Sequence, residues 1–300
     1  MNTPMLRPAL LMNAVFSGAN GLLLAVAPAM IASWLGPDLP ALYLFVGIGL
    51  LLFSVTLVGL AARPTPLAVL AVTGADVGWI ISTTAALLVW KREFAPLGYA
   101  LVLGANAMVW SLAWLQLRSI RHAFQARSDS PDEYHVCIAV DTPVAADEFW
   151  RVLADLGSIQ RYSPGLKSSA LTTDETSGIG CVRTCENTKG KVWSERCDEW
   201  EEGKSFSVNF LTDRTGFPFP FSKMRGGWRV APNAAGCRVE VWWRVVPRHP
   251  WAAAVVLPLM AAGALRTFGG VVARMADAAK GPSTSIEHAG SPSRLRAALC

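Results

Sequence analysis

The chain has 300 residues, 52% of them hydrophobic and 16% charged, with a net charge of +5 and six cysteines. Soluble proteins average about 25% charged residues, so an ordinary single soluble domain is disfavoured. The shortage is local, because residues 1–117 carry only seven charged side chains (Arg7, Asp38, Arg63, Asp76, Lys91, Arg92 and Glu93). Two chemically different modules share the chain.

In the first module, apolar runs at about 10–33, 41–62, 67–90 and 96–117 each supply the roughly 20 residues that cross ~30 Å of hydrocarbon. They predict an all-α transmembrane four-helix domain over 1–117, with turns at Pro-Asp-Leu-Pro (37–40) and Arg-Pro-Thr-Pro (63–66), where proline ends helices. A cleaved signal peptide is the alternative for the first run, since Arg7 precedes Ala-Val-Ala (25–27) and Ala-Pro-Ala (27–29). The run outlasts the usual ~7–15-residue apolar core of such a peptide. Near the span ends, Arg7, Arg63, Arg118, Arg121 and Arg127 collect on one side, and Lys91 and Arg92 on the other. This excess predicts an integral protein of the cell or inner membrane with both termini cytoplasmic. The juxtamembrane Arg118, Arg121 and Arg127 account for most of the net charge, as partners of the bilayer rather than of nucleic acid.

Asp76 is the one acid inside a span, and an intramembrane carboxylate is by default a functional hypothesis. Asn13, Asn20, Asn106 or a backbone group are its expected partners, with Asp76, Asn20 and Asn106 the candidate polar site. Gly74 and Gly78 lie on the opposite face of that helix and predict close packing there. A hydrogen-bonded structural acid is the plainer reading.

Residues 118–133 read as a helix end running into a basic, polar juxtamembrane linker. Beyond it the alternation changes period, predicting a strand at 134–140, a short helix at 144–153, strands at 166–173, 179–186, 191–200, 204–212, 222–230 and 236–246, and a long helix at 250–279. The tail, 281–300, lacks apolar periodicity and is expected to be disordered. All six cysteines (137, 181, 185, 197, 237 and 300) lie in this half, and a cytoplasmic placement keeps them as thiols. The four histidines are scattered and no phosphate loop or dinucleotide fingerprint occurs, so neither metal nor cofactor is expected. The oligomeric state is not legible.

Several segments, in this order, carry a resemblance. They are Val140-Asp141-Thr142-Pro143-Val144 leading into Phe149-Trp150-Arg151-Val152-Leu153-Ala154-Asp155, then Tyr162-Ser163-Pro164-Gly165 and Gly178-Ile179-Gly180. Glu201-Glu202-Gly203-Lys204, Gly227-Trp228-Arg229-Val230 and Val239-Glu240-Val241 follow. Residues 134–280 thereby resemble the START-like helix-grip (SRPBCC) superfamily, in its polyketide cyclase/dehydrase and lipid-transport branch. The resemblance implies an α+β helix-grip domain, a curved antiparallel sheet wrapped around the long C-terminal helix, with an apolar cavity between them for lipids, sterols, quinones, polyketides or hormones. The membrane half resembles no family.

Candidate ligand-binding residues are Trp150, Tyr162, Arg183, Trp193, Glu195, Phe206, Phe210, Phe219, Arg225, Trp228 and Phe268, although any one ring can equally be core. Arg183 shares a strand face with Cys181 and Cys185, and Glu195 shares one with Trp193 and Cys197. Turn register decides whether those faces point inward. Glu186, Arg196 and Glu240 are further polar candidates, and no catalytic residue is identified. The expected function is membrane-anchored binding or transfer of a lipophilic molecule. The alternative is a membrane-associated cyclase/aromatase-type enzyme, with ligand sensing a third possibility.

In the long helix, Arg266, Arg274, Asp277 and Lys280 lie opposite Leu257, Ala261, Ala264, Phe268, Val271 and Met275, which should face the sheet. The half from Trp251 to Leu265 is uncharged all round and needs a second partner. Beside it, Phe217, Phe219 and Phe221 alternate with prolines between Arg214, Lys223 and Arg225. That composition suits a loop dipping into a membrane interface, the other reading being rings turned into the cavity.

Overall fold

A computed structural model describes residues 5–126, 130–281 and 295–300. The chain divides into two units, Asn2–Ala123 and Phe124–Cys300.

The first unit is helical: α1 (Leu6–Val26), α2 (Pro28–Leu35), α3 (Pro40–Ala62), α4 (Pro66–Val89) and α5 (Pro96–Phe124). The first expected span is therefore two helices, because Pro28 has no N–H to continue α1 and instead opens α2. The turn before α4 is capped by Thr65, whose Oγ1 accepts the Ala68 N–H at 3.2 Å. α1 and α3 touch backbone to backbone. A Cβ on Gly47 would fall 2.6 Å from Ala25 N and 2.8 Å from Gly21 O. Close packing was expected at Gly74 and Gly78 instead, but both face open space. α5 runs on through Phe124 rather than yielding to a linker at 118, with Arg121 and His122 in its last turn, where cations suit the helix dipole. An Ala126 N–H to Glu133 O bond of 3.0 Å then leads into the sheet.

The second unit holds β1 (Tyr134–Thr142), α6 (Ala146–Leu153), β2 (Leu166–Leu171), β3 (Val182–Asn187), β4 (Val192–Glu201), β5 (Ser205–Phe210), β6 (Phe221–Asn233), β7 (Gly236–Pro247), α7 (Ala253–Ala279) and β8 (Ala297–Leu299). These strands form one antiparallel sheet in the order β2-β3-β4-β5-β6-β7-β1-β8. Register shifts at Leu166/Ser168, Cys197/Glu199 and Phe221/Lys223 bend the strands, as bulges do. The β6–β7 turn requires Gly236, whose φ is +143° and whose Cβ would fall 2.4 Å from Thr142 O. Val271, Val272, Met275 and Ala276 of α7 join Phe149, Trp228 and Val239 in the core. This is the helix-grip architecture.

α1, α3, α4, α5 and the helix over Pro250–Ala279 are long and apolar enough to cross a membrane. In the last of these, Leu257, Ala261 and Met275 are buried, while Trp251, Val255 and Leu259 are exposed.

Two expectations about the cysteines and the tail are corrected. Cys137 and Cys300 form a disulfide, while Cys181, Cys185, Cys197 and Cys237 are buried thiols. Residues 297–299 pair with β1, Ala297 opposite Val140, and the absence of a side chain at Gly269 admits the Leu295 carbonyl against α7. Leu295, Ala297 and Leu299 bury apolar surface on the core, which a reading of periodicity cannot detect in so short a segment. The rest of the expected disordered tail, 282–294, lies outside the described residues.

Candidate functional site

Alternation along the central strands points one set of side chains to the concave face: Phe206, Val208 and Phe210 from β5, Met224, Gly226 and Trp228 from β6, and Val241 and Trp243 from β7. α7 closes this face with Val256, Met260, Ala264 and Phe268, and a cavity of about 570 Å³ remains between helix and sheet. That lies within the usual range of ligand pockets. Gly226 keeps the space open, because a Cβ there would press within 3.1 Å of Trp243 and 3.2 Å of Phe210. Phe268 packs against Trp243 and Trp228 at ring-centroid distances of 5.2 and 5.7 Å.

The cavity lining is largely apolar, and Arg183 and Glu195 are its charged groups. Arg183 of β3 and Glu195 of β4 are direct cross-strand partners, and both line the cavity. Arg183 Nη2 donates to Glu195 Oε2 at 2.9 Å, and its Nη1 donates to the Leu156 carbonyl at 2.8 Å. Glu195 Oε1 also accepts from Trp193 Nε1 at 2.8 Å and from the Cys185 thiol at 3.8 Å. The pair is almost wholly buried, with Arg183 8% and Glu195 5% exposed. Burial opposes the Arg183 cation, but the adjacent Glu195 carboxylate outweighs it and holds the guanidinium above its ordinary range. Burial, aided by Glu195, pushes the Cys185 thiol up to about 11, so it is neutral and poorly nucleophilic at physiological pH. Both Glu195 oxygens already accept hydrogen bonds, which fixes the carboxylate in place on the cavity wall.

Of the residues singled out from sequence, Arg183, Trp193, Glu195, Phe206, Phe210, Phe219, Trp228 and Phe268 meet at this cavity. Three do not. Trp150 is core, 4% exposed, clasped by Glu202 Oε1 at 2.8 Å and edge-on to Trp200. Tyr162 offers its carbonyl to Arg274 Nε at 2.6 Å. Arg225 stands between inward Met224 and Gly226, so it points to the opposite face, where it pairs with Glu199 at 2.7 Å and bonds Ser207 at 2.9 Å. Met224 and the first turns of α7 were missed, and Trp243 joins the cavity by alternation with Val241.

The phenylalanine loop is also corrected. Phe219 packs on Trp193 at 5.3 Å and on Phe217 at 5.4 Å, and Phe221 is 2% exposed. Edge-to-face contacts on Trp193 and Phe210 hold Phe219 inward, so Phe219 and Phe221 line the cavity while Phe217 lines a neighbouring polar cleft.

The first, helical unit has a separate polar cluster. Asn13 Nδ2 of α1 donates to both oxygens of Asp76 on α4, at 3.0 and 2.8 Å, and Gln116 Nε2 of α5 donates to Oδ2 at 2.9 Å. The amides are themselves oriented, because Ser17 donates to Asn13 Oδ1 and Thr73 to Gln116 Oε1. Three helices are thus tied at one buried carboxyl. Of the expected partners only Asn13 is present: Asn20 donates to the Phe16 carbonyl, and Asn106 bonds Thr83 and Thr84. Gln116 was missed, since an amide near a span end gives no periodic signal.

Residues 135–280 match the family described as polyketide cyclase / dehydrase and lipid transport. No curated protein matches the chain. Solved structures similar to it include the Zhui aromatase/cyclase of a Streptomyces species, at 19% identity over 49% of this chain and 94% of that one, with a TM-score of 0.40. Norcoclaurine synthase from Thalictrum flavum is 13% identical over 50% of this chain and 88% of its own, with a TM-score of 0.41. Residues 1–134 lie outside the family match.

Proposed function

From the polyketide cyclase / dehydrase and lipid transport family that residues 135–280 match, we propose that this is a membrane-anchored protein whose helix-grip domain binds or transfers a lipophilic small molecule. The observation carrying this reading is the cavity of about 570 Å³, largely apolar with Arg183 and Glu195 as its charged groups. A lipid, quinone or polyketide-like molecule would bury its apolar body among the rings and turn one polar end to that pair, the usual division of labour in a ligand pocket. α1, α3, α4 and α5 support the anchoring by length and composition. Cyclase chemistry has less support, because the Cys185 thiol is neutral and the Glu195 carboxylate is already held by Arg183 and Trp193.

Filling the cavity tests the reading. Ala264 lines it from α7, and Gly263 at the lip has nothing within 4 Å of where a Cβ would stand. Organic extracts of the purified full chain are expected to contain a compound missing from Ala264→Phe and Gly263→Trp variants prepared in the same detergent. Lipids held by the membrane helices cancel in that comparison. Identical extracts would refute cavity binding.

The excess of Lys and Arg at one set of span ends supports a cytoplasmic domain. The Cys137–Cys300 bond pulls the other way, since cytosolic thiol pools reduce such bonds. A reporter active only outside the cytoplasm is expected to be silent when fused after Ser128 and active in the loop at Asp38. Activity after Ser128 together with an intact bond would reverse the orientation.

A further inference from the structure

The 3-10 turn at Pro250–Ala252 and the first turns of α7 that follow it carry an exposed stripe. Trp251 is 75%, Val255 40% and Leu259 54% exposed, and their four-residue spacing lines them along one face. The stripe is continuous with the cavity, because Leu259 and, one turn on, Gly263 also form its wall. Just before the stripe, Arg248 and Arg214 line a polar cleft of about 530 Å³ together with Thr212, Thr215, Ser222 and Asp213. Both arginines are partly fixed, Arg214 Nη1 on Ser194 Oγ at 2.7 Å and Arg248 Nε on the Phe221 carbonyl at 3.3 Å. Their remaining N–H groups are uncommitted, and neither side chain joins an ion pair among the described residues. Exposed Lys223 pairs across the ladder with Val246, two residues from Arg248.

We propose that this mouth is a docking surface for an anionic phospholipid bilayer. Trp251, Val255 and Leu259 enter the interfacial region, Arg214 and Arg248 take lipid phosphates, and the cavity opens at Leu259 toward the acyl chains. An indole beside apolar side chains suits the headgroup boundary, and the cleft offers the anion-binding groups where headgroups would stand. Three exposed side chains fall well short of the ~800 Å² per partner of a standard protein complex, which disfavours a second copy. The chain's own apolar helices keep the domain within reach of a membrane. The inference deepens the lipophilic-ligand reading by giving the ligand its route.

The test uses the full chain in nanodiscs of phosphatidylcholine alone or mixed with phosphatidylglycerol. A fluorophore is placed through Val255→Cys, with Ala234→Cys as the control site in the exposed β6–β7 turn, at the opposite end of those strands from Phe221 and Pro247; the native free thiols are buried. In the anionic discs the label at 255 is expected to be quenched by lipid-borne quenchers and shielded from aqueous iodide, and the label at 234 to behave oppositely. Each of Arg214→Gln and Arg248→Gln should weaken the docking equilibrium by about fivefold, the value of one cation near an anionic surface. Equal quenching at both sites would overturn the proposal, as would insensitivity to the anionic lipid and to both arginine variants. Shielding from iodide without lipid quenching would assign the stripe to a protein contact and also overturn it. The extract comparison with Ala264→Phe is independent of docking, so failure here leaves cavity binding separately decided.

Discussion

Replacing Arg183 alone by methionine is expected to lower the stability of the helix-grip domain by about 3–5 kcal/mol, the cost of stranding one member of a buried ion pair. Glu195, 5% exposed, would keep Trp193 and Cys185 as donors but lose its cation. The double variant Arg183→Met/Glu195→Met should recover most of that loss, because two apolar side chains of similar volume remove the desolvation cost together. Thermal unfolding of the full chain, followed by the near-ultraviolet signal of the domain's tryptophans, measures both. The double variant also separates structure from recognition. It should retain apolar extractable compounds while losing discrimination in favour of those with a polar end. A single variant costing under about 1 kcal/mol would mean that the pair is solvated, and its role in the cavity would be lost.

The second large effect is expected at Asp76. Asp76→Ala removes the acceptor for three hydrogen bonds from Asn13 and Gln116 and unties α1, α4 and α5 at one point. Interhelical hydrogen bonds in membranes average about 0.6 kcal/mol each, so a loss of about 2 kcal/mol follows. Resistance of the folded chain to unfolding by dodecyl sulfate reads it out. Asp76→Asn should lose less, because one carbonyl oxygen still accepts while its own amide faces the donors. If the carboxyl is structural, replacing Asn13, Asp76 and Gln116 together by leucine restores resistance. Unchanged resistance in Asp76→Ala would show that the cluster does not hold the helices.

The elements whose burial is periodic were legible in the sequence. Strand alternation located β1 to β7 within a few residues, and the shared faces of Arg183 with Cys185 and of Trp193 with Glu195 hold in the structure. The site was less legible wherever one residue decides which face a side chain takes. Arg225 and Trp228 lie on one strand and were both read as ligand-binding, yet their odd separation sends them to opposite faces. Asp76 was identifiable as an outlier in a span, but not Gln116 as its partner, since nothing local specifies which neighbouring helix turns an amide toward it.

Composition and period by themselves determined the two-module organisation, the apolar helices, and a sheet followed by a long helix, because each rests on a local repeat of hydrophobicity along the chain. Tertiary structure alone decided the inward turn of Phe219 and Phe221, the Asn13–Asp76–Gln116 cluster, and the return of residues 297–299 to the free edge of β1 under the Cys137–Cys300 bond. Those features depend on groups far apart in sequence meeting at a few ångströms, and their energy comes from burial and pairing that exist only once the chain has folded.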